Sequence, residues 1–279
     1  SHLHLFMGGA ELAHLQLLGV KGTQALGAAI KAYADAHPDL PLIMGQGCDY
    51  AILDRSLTRH DLDAILPDRP ILLIAADHHT GWANTAALEA AGILGGRELG
   101  AGNEIVMGAD GLATGELREF EAKAPVMALT GAARINAGIA TGDEPQPTPT
   151  EAEKLADSVA MKRGLEHCAR FGFTSLVNMD GNFYTLEVLE ALRQQGQLTA
   201  RVRVPFHYRN WRKPADMEIA SAMSAKYNDD WLSSGFVKFF MDGVVDSGTA
   251  VMLEDYPDTP GWKGDPLHSA EAFAAAASE

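Results

Sequence analysis

The sequence predicts an α/β protein whose parallel sheet is built from alternating helices and strands, and three observations carry that prediction. Beyond residue 150, segments with helical periodicity alternate with short apolar runs, which implies parallel strands joined by right-handed crossovers, either doubly wound or closed as a (β/α)8 barrel. The run Phe236-Val237-Lys238-Phe239-Phe240-Met241-Asp242-Gly243 reads as a strand buried on both faces, with one lysine inside it. At the other end, Ser1-His2-Leu3-His4-Leu5 sets two imidazoles two positions apart, on one side of an extended segment.

Each element follows in order. His2 and His4 can share one metal ion, since neutral imidazole is the commonest protein ligand for zinc. Residues 8–36 have a helical pattern, with Leu12, Leu15 and Leu18 on one side and Leu26, Ile30 and Tyr33 recurring after Gly19 and Gly22. Residues 41–45 read as a strand, 58–63 as a short capped helix, and 69–75 as a second buried strand. Gly45-Gln46-Gly47 lacks the third glycine of a dinucleotide loop, which excludes that reading. Asp77-His78-His79-Thr80-Gly81-Trp82-Ala83-Asn84 then leads into a helix closed by Gly92. Polar groups so dense at a strand's carboxyl end face a ligand, or else cap the helix through Thr80 or Asn84. Residues 104–107 and 113–119 form a hairpin around an Asp-Gly turn.

Gly138, Gly142, Pro145, Pro147 and Pro149 mark residues 137–150 as a linker. After it come a helix from Thr150 to about residue 170, a strand at 173–178, a helix at 185–195, a strand at 201–206, a helix at 216–226 and the lysine strand. Desolvation in that strand would drive the ammonium of Lys238 towards the neutral amine. The alternative is an ion pair with Asp242 or Asp180. His167 falls on a helix, whereas His207, just past a strand, is placed to line a pocket.

Composition narrows the function classes. With 22 basic against 37 acidic residues, the formal charge of −15 argues against a nucleic-acid surface or an anionic membrane, and favours a neutral or cationic small-molecule substrate. No apolar run of membrane-spanning length occurs, and Cys48 and Cys168 are too few for a disulfide framework. A cytoplasmic protein is the expectation.

Taken together, His2-x-His4, the insertion with Asp77-x-His79-x-x-Trp82-x-Asn84 before Ala87-Leu88 and Gly92-Ile93, Val237-Lys238-x-Phe240-x-Asp242-Gly243 and Ser247-x-Thr249-Ala250 resemble the YtcJ-like branch of the amidohydrolase superfamily, which includes N-substituted formamide deformylases. The resemblance implies a partial (β/α)8 metal-dependent hydrolase barrel, its first half, with a large α/β insertion after strand one. Residues 1–18 would be the end of that strand and its helix, 19–136 the insertion, 137–150 the linker, and 151–279 barrel strands two to four. It also implies hydrolysis of C–N bonds by metal-activated water, with a divalent metal, most readily zinc, held by His2, His4 and a carbamylated Lys238. His79, Trp82, Asn84, His207 and Asp242 would line the substrate pocket. The family's remaining histidine ligands and its catalytic aspartate lie on later strands, so the chain is expected to be a portion of an enzyme that does not catalyse alone and that self-associates through open sheet edges. The rival expectation is a non-catalytic binding or regulatory module on the same scaffold.

Overall fold

The computed structural model describes residues 2–100, 102–130, 142–243, 245, 248–257 and 259–279. The chain divides into two compact units, Ser1–Ala10 with Arg134–Glu279, and Glu11–Ala133. Gly138 and residues 137–141 of the expected linker lie outside the described residues, as does Ser247; residues 142–150 contain neither helix nor strand.

The discontinuous first unit holds a parallel sheet. Its strands are β1 (His2–Leu3), β8 (Ser175–Asn178), β9 (Arg201–Arg203) with β10 (Phe206–Tyr208), and β11 (Leu232–Ser233) with β12 (Val237–Phe239). β1 pairs with β8, β8 with β9, and β9 with β11, while β10 pairs with β12, every pair parallel. Helices α6 (Glu151–Arg170), α7 (Phe183–Gln194) and α8 (Met217–Lys226) precede successive strands, as the alternation requires. α6 starts at a capping box in which the Thr150 hydroxyl accepts from Glu153 N–H and the Glu153 carboxylate accepts from Thr150 N–H. α1 (Leu5–Glu11) lies against α6 through Gly9 and Gly164; a Cβ on Gly9 would stand 2.1 Å from the Ala160 carbonyl oxygen. The core joins Leu5 and Phe6 to Met161, Leu165, Leu189, Val202 and Phe206.

The third strand is interrupted at Val204-Pro205. Arg203 faces Ser233 and Phe206 faces Val237, so two residues on one strand oppose three on the next. This bulge re-aims the strand ends where His207 and Lys238 sit. The lysine strand differs from expectation: residues 236–240 are all half-buried rather than enclosed on both faces. β12 has a single sheet neighbour, β10, so its other edge carries no strand among the described residues.

The second unit is a mixed sheet in the order β2 (Leu15–Gln16), β3 (Ile43–Cys48), β4 (Ile71–Ala75), β5 (Thr80–Ala83), β7 (Ala113–Arg118), β6 (Glu104–Met107). The first three strands are parallel and the last three antiparallel. Along β4 the apolar run divides by parity. Ile71, Leu73 and Ala75 join the core under α2 (Thr23–Ala36) and α3 (Arg59–Ile65), while Leu72 and Ile74 join the one under α4 (Thr85–Ala90) and α5 (Glu119–Met127). Two expectations are corrected here. Leu15 belongs to a strand added to β3 rather than to a helix, which leaves Leu17 buried and Leu18 exposed. Residues 80–83 form a strand antiparallel to β4 rather than a ligand-facing loop. No helix among the described residues is long and apolar enough to cross a membrane.

Candidate functional site

In the first unit, β1 brings His2 and His4 to the sheet end where β8 finishes, with His2 beside Val177 and Leu3 beside Asn178. The buried Asn178 side chain fastens this end, accepting from Leu5 N–H at 2.7 Å and donating to the Asp180 carbonyl at 2.5 Å. Gly181 is the one residue that fits next, since a Cβ there would lie 1.7 Å from the Pro205 carbonyl oxygen. Asp180 is thereby held with its carboxylate on His4: Nδ1 donates to Oδ1 at 2.8 Å. The proton fixed on Nδ1 leaves Nε2 with its lone pair. The His2 and His4 rings stand 5.4 Å apart, edge to face. Desolvation and then the nearby Lys238 charge hold the His2 imidazole below its ordinary range.

Lys238 pairs in register with His207, so the two side chains leave the sheet on the same face. Its ammonium sits 4.4 Å from the Phe240 ring centroid. Desolvation lowers its pKa, Asp180 opposes that shift and Arg209 adds to it. Of the two alternative partners, Asp180 acts on Lys238 through its field, whereas the Asp242 carboxylate accepts from Val251 N–H at 2.9 Å and is engaged in its own loop. His207 is fully buried, and neither ring nitrogen has a hydrogen-bond partner among the described residues. Burial pushes its imidazole down to about 3, with Arg209, Lys238, Arg212 and His4 acting in the same direction. A second oxygen of Asp180 and Nε of Arg209 are likewise buried without partners.

His2, His4, His207 and Lys238 are therefore brought to one end of the sheet, joined by Asp180 and Arg209. The sequence named Asp180 only as a possible lysine partner, and Arg209 not at all. Their common signal is position: each follows the carboxyl end of a strand, β8 or β10. Two imidazoles, a carboxylate and an amine driven towards neutrality are chemically suited to a divalent cation, and the buried, unpartnered Asp180 oxygen fits that group. Among the described residues, no three His, Cys, Asp or Glu side chains stand at metal-ligating separation.

His79, Trp82 and Asn84 belong to the second unit, and two of them are corrected. Asn84 is fully buried: its oxygen accepts from Ile71 and Ala87 N–H, its amide donates to the carbonyls of Leu66 and Arg69, and it caps α4. An amide satisfied on every side has nothing left for a substrate. Trp82 is 3% exposed and packs in the α2–α3 core, edge-on to Tyr50. His79 is half-buried, and its Nδ1 lies 2.9 and 3.0 Å from the two Glu119 oxygens. The backbone around it is strained, because His78 and Glu119 both adopt left-handed φ, 67° and 65°. Lys123 binds this turn from below, donating to the His78 and His79 carbonyls at 2.5 and 2.9 Å. Burial brings the Lys123 amine down to about 8, against the pull of Glu119 and Asp77.

Comparison with known proteins accords with this architecture. YtcJ of Bacillus subtilis (strain 168) is 26% identical over 280 residues, covering 98% of this chain and 48% of that protein. The exoenzymes regulatory protein AepA of Pectobacterium carotovorum is 26% identical over 236 residues, covering 82% and 47%. An N-substituted formamide deformylase of Arthrobacter pascens is 41% identical over 68 residues, 24% of this chain and 12% of that one. The crystal structure of an uncharacterized metal-dependent hydrolase from Pyrococcus horikoshii OT3 superposes with a TM-score of 0.62 at 23% identity, over all of this chain and 50% of the other. The chain thus spans about half the length of the curated relatives first named, and its fold is the expected partial barrel with an α/β insertion. The sequence profile of the amidohydrolase family matches residues 1–279, and the chain belongs to that family.

Proposed function

We propose that this chain supplies part of the metal site of a hydrolase that cuts C–N bonds other than peptide bonds. His2, His4 and Lys238 would hold a divalent cation, zinc in first place, and Asp180 would orient His4. The observation that carries the reading is the 2.8 Å bond from His4 Nδ1 to a buried carboxylate. A second hydrogen bond of this kind fixes the tautomer and raises the basicity of a ligating imidazole. A bound metal supplies a Lewis acid that polarises a carbonyl and acidifies water. Lys238 contributes through its desolvated amine, which as the neutral base adds carbon dioxide, forming an N–C bond and losing one proton, to give an anionic carbamate donor. His207 stays neutral, closing the apolar side of the site against Phe240. Family membership supports the reaction class, and the name of the Arthrobacter relative supports amide or formamide-type bonds.

A second reading, a binding or regulatory module without catalysis, is favoured by the lack of three pre-assembled His, Cys, Asp or Glu ligands among the described residues. Zinc titration followed by elemental analysis separates the two. The first reading expects stoichiometric uptake, weakened at least about a hundredfold in the His2→Ala/His4→Ala variant, and a carbamate carbon resonance in labelled bicarbonate that disappears in Lys238→Met. Uptake indifferent to all three residues would overturn it. Turnover of simple amides and formamides with added zinc then tests whether this chain acts alone.

A further inference from the structure

Arg209 stands where the site is most in need of an anion. Its guanidinium carbon lies 4.6 Å from the Phe240 ring centroid and 5.2 Å from that of Trp211, so two aromatic rings hold it in place. Its Nε is buried without a hydrogen-bond partner among the described residues. Of the carboxylates that act on it, Asp143 binds Arg212 at 2.8 Å and Asp180 binds His4 at 2.8 Å through one oxygen, and neither reaches the Arg209 Nε. A guanidinium cannot shed its charge, so a half-buried one whose Nε is enclosed without a partner is a receptor for a planar anion. The Lys238 ammonium shares the same Phe240 ring, 4.4 Å from its centroid. In a chain whose formal charge is −15, a guanidinium held between two rings with its Nε unpartnered runs against the overall balance and points to a negatively charged ligand.

We propose that Arg209 is the anchor for a carboxylate on the substrate, so that this site takes an anionic amide in preference to a neutral one. The proposal deepens the hydrolase reading and rests on it for the amide. It replaces the expectation of a neutral or cationic substrate drawn from net charge, because a field of charges across the whole surface is screened over about 10 Å while a half-buried guanidinium acts at contact.

The test uses two probes of nearly one shape, succinamate, with a carboxylate and an amide, and succinamide, with two amides. Each is titrated calorimetrically into the 279-residue chain in the presence of chelator, and zinc uptake is measured separately on the same proteins. Succinamate is expected to bind at least tenfold more tightly than succinamide. Arg209→Gln should erase that preference and Arg209→Lys should keep part of it, with zinc uptake unchanged in both. Equal affinity of the two probes for the unaltered chain, which needs no variant to fold, overturns the proposal. So does a preference that survives Arg209→Gln, or a loss of the Lys238 carbamate resonance in that variant while succinamate affinity holds, which would make Arg209 the partner of Lys238. Carboxylate preference without zinc uptake would instead sink the hydrolase reading and leave Arg209 as an anion site.

Discussion

Each unit contains a histidine bound through Nδ1 to a carboxylate and a lysine withdrawn from water, yet the two sets are built for different ends. In the second unit both Glu119 oxygens are turned to His79, both partners are about one-third exposed, and Lys123 spends its protons on two backbone carbonyls. Together these contacts hold the strained turn between β4 and β5 against the start of α5. In the first unit Asp180 gives one oxygen to His4 and keeps the other buried and empty. Lys238 meets a ring face rather than an acceptor, and His207 has two idle nitrogens. Satisfied polar groups brace a fold; buried polar groups left open are a cost that a bound ligand can remove.

The comparison breaks most visibly with pH at Lys123. Its folded pKa of about 8 lies below the ordinary lysine value of 10.5, so between those limits the unfolded chain holds more protons and stability rises with pH. Denaturation of the wild type should show a gain of about 3 kcal/mol across that window, absent in Lys123→Met. His207 acts at the acid end. Its folded pKa of about 3 sits below 6.5, so stability present at neutral pH is lost as pH falls below 6.5, by about 2 kcal/mol at pH 5. His207→Phe should flatten that slope. A third contrast discriminates best between the two histidine pairs. Asp180→Asn should weaken zinc binding tenfold to a hundredfold, while Glu119→Gln, at a partly exposed pair, should change stability by about 1 kcal/mol or less and leave zinc uptake alone. Equal responses of the two variants would dissolve the distinction.

Local signals carried much of the architecture. The Thr150–Glu153 capping box, the all-apolar β4 and the Asp-Gly hairpin at β6–β7 each depend on neighbours in sequence, and each stands where the pattern put it. What was not legible depends on distant partners. Residues 80–83 carry Gly81 and Trp82 and look like a site loop; they become a strand because β4 and β7 offer edges on either side. Trp82 and Asn84 share a motif with His79, but only packing reveals that they face inward. At the site itself, His2, His4, His207 and Lys238 announced themselves by residue type. Asp180 and Arg209 did not, since an aspartate after one strand and an arginine after another become meaningful only when the sheet sets them beside the histidines.

The bond between His4 and Asp180 joins residues 176 positions apart, and the whole of the second unit lies in the intervening chain. Closing a loop of that length early would cost much configurational freedom for one contact, whereas a segment that collapses first shortens the distance to be bridged. The contiguous stretch from 11 to 133 can therefore fold as it leaves the ribosome, while β1 must wait for β8 to be synthesised. The candidate centre requires β1, β8 and β12 to be in place, so the appearance of its ligands during refolding reports assembly of the discontinuous first unit.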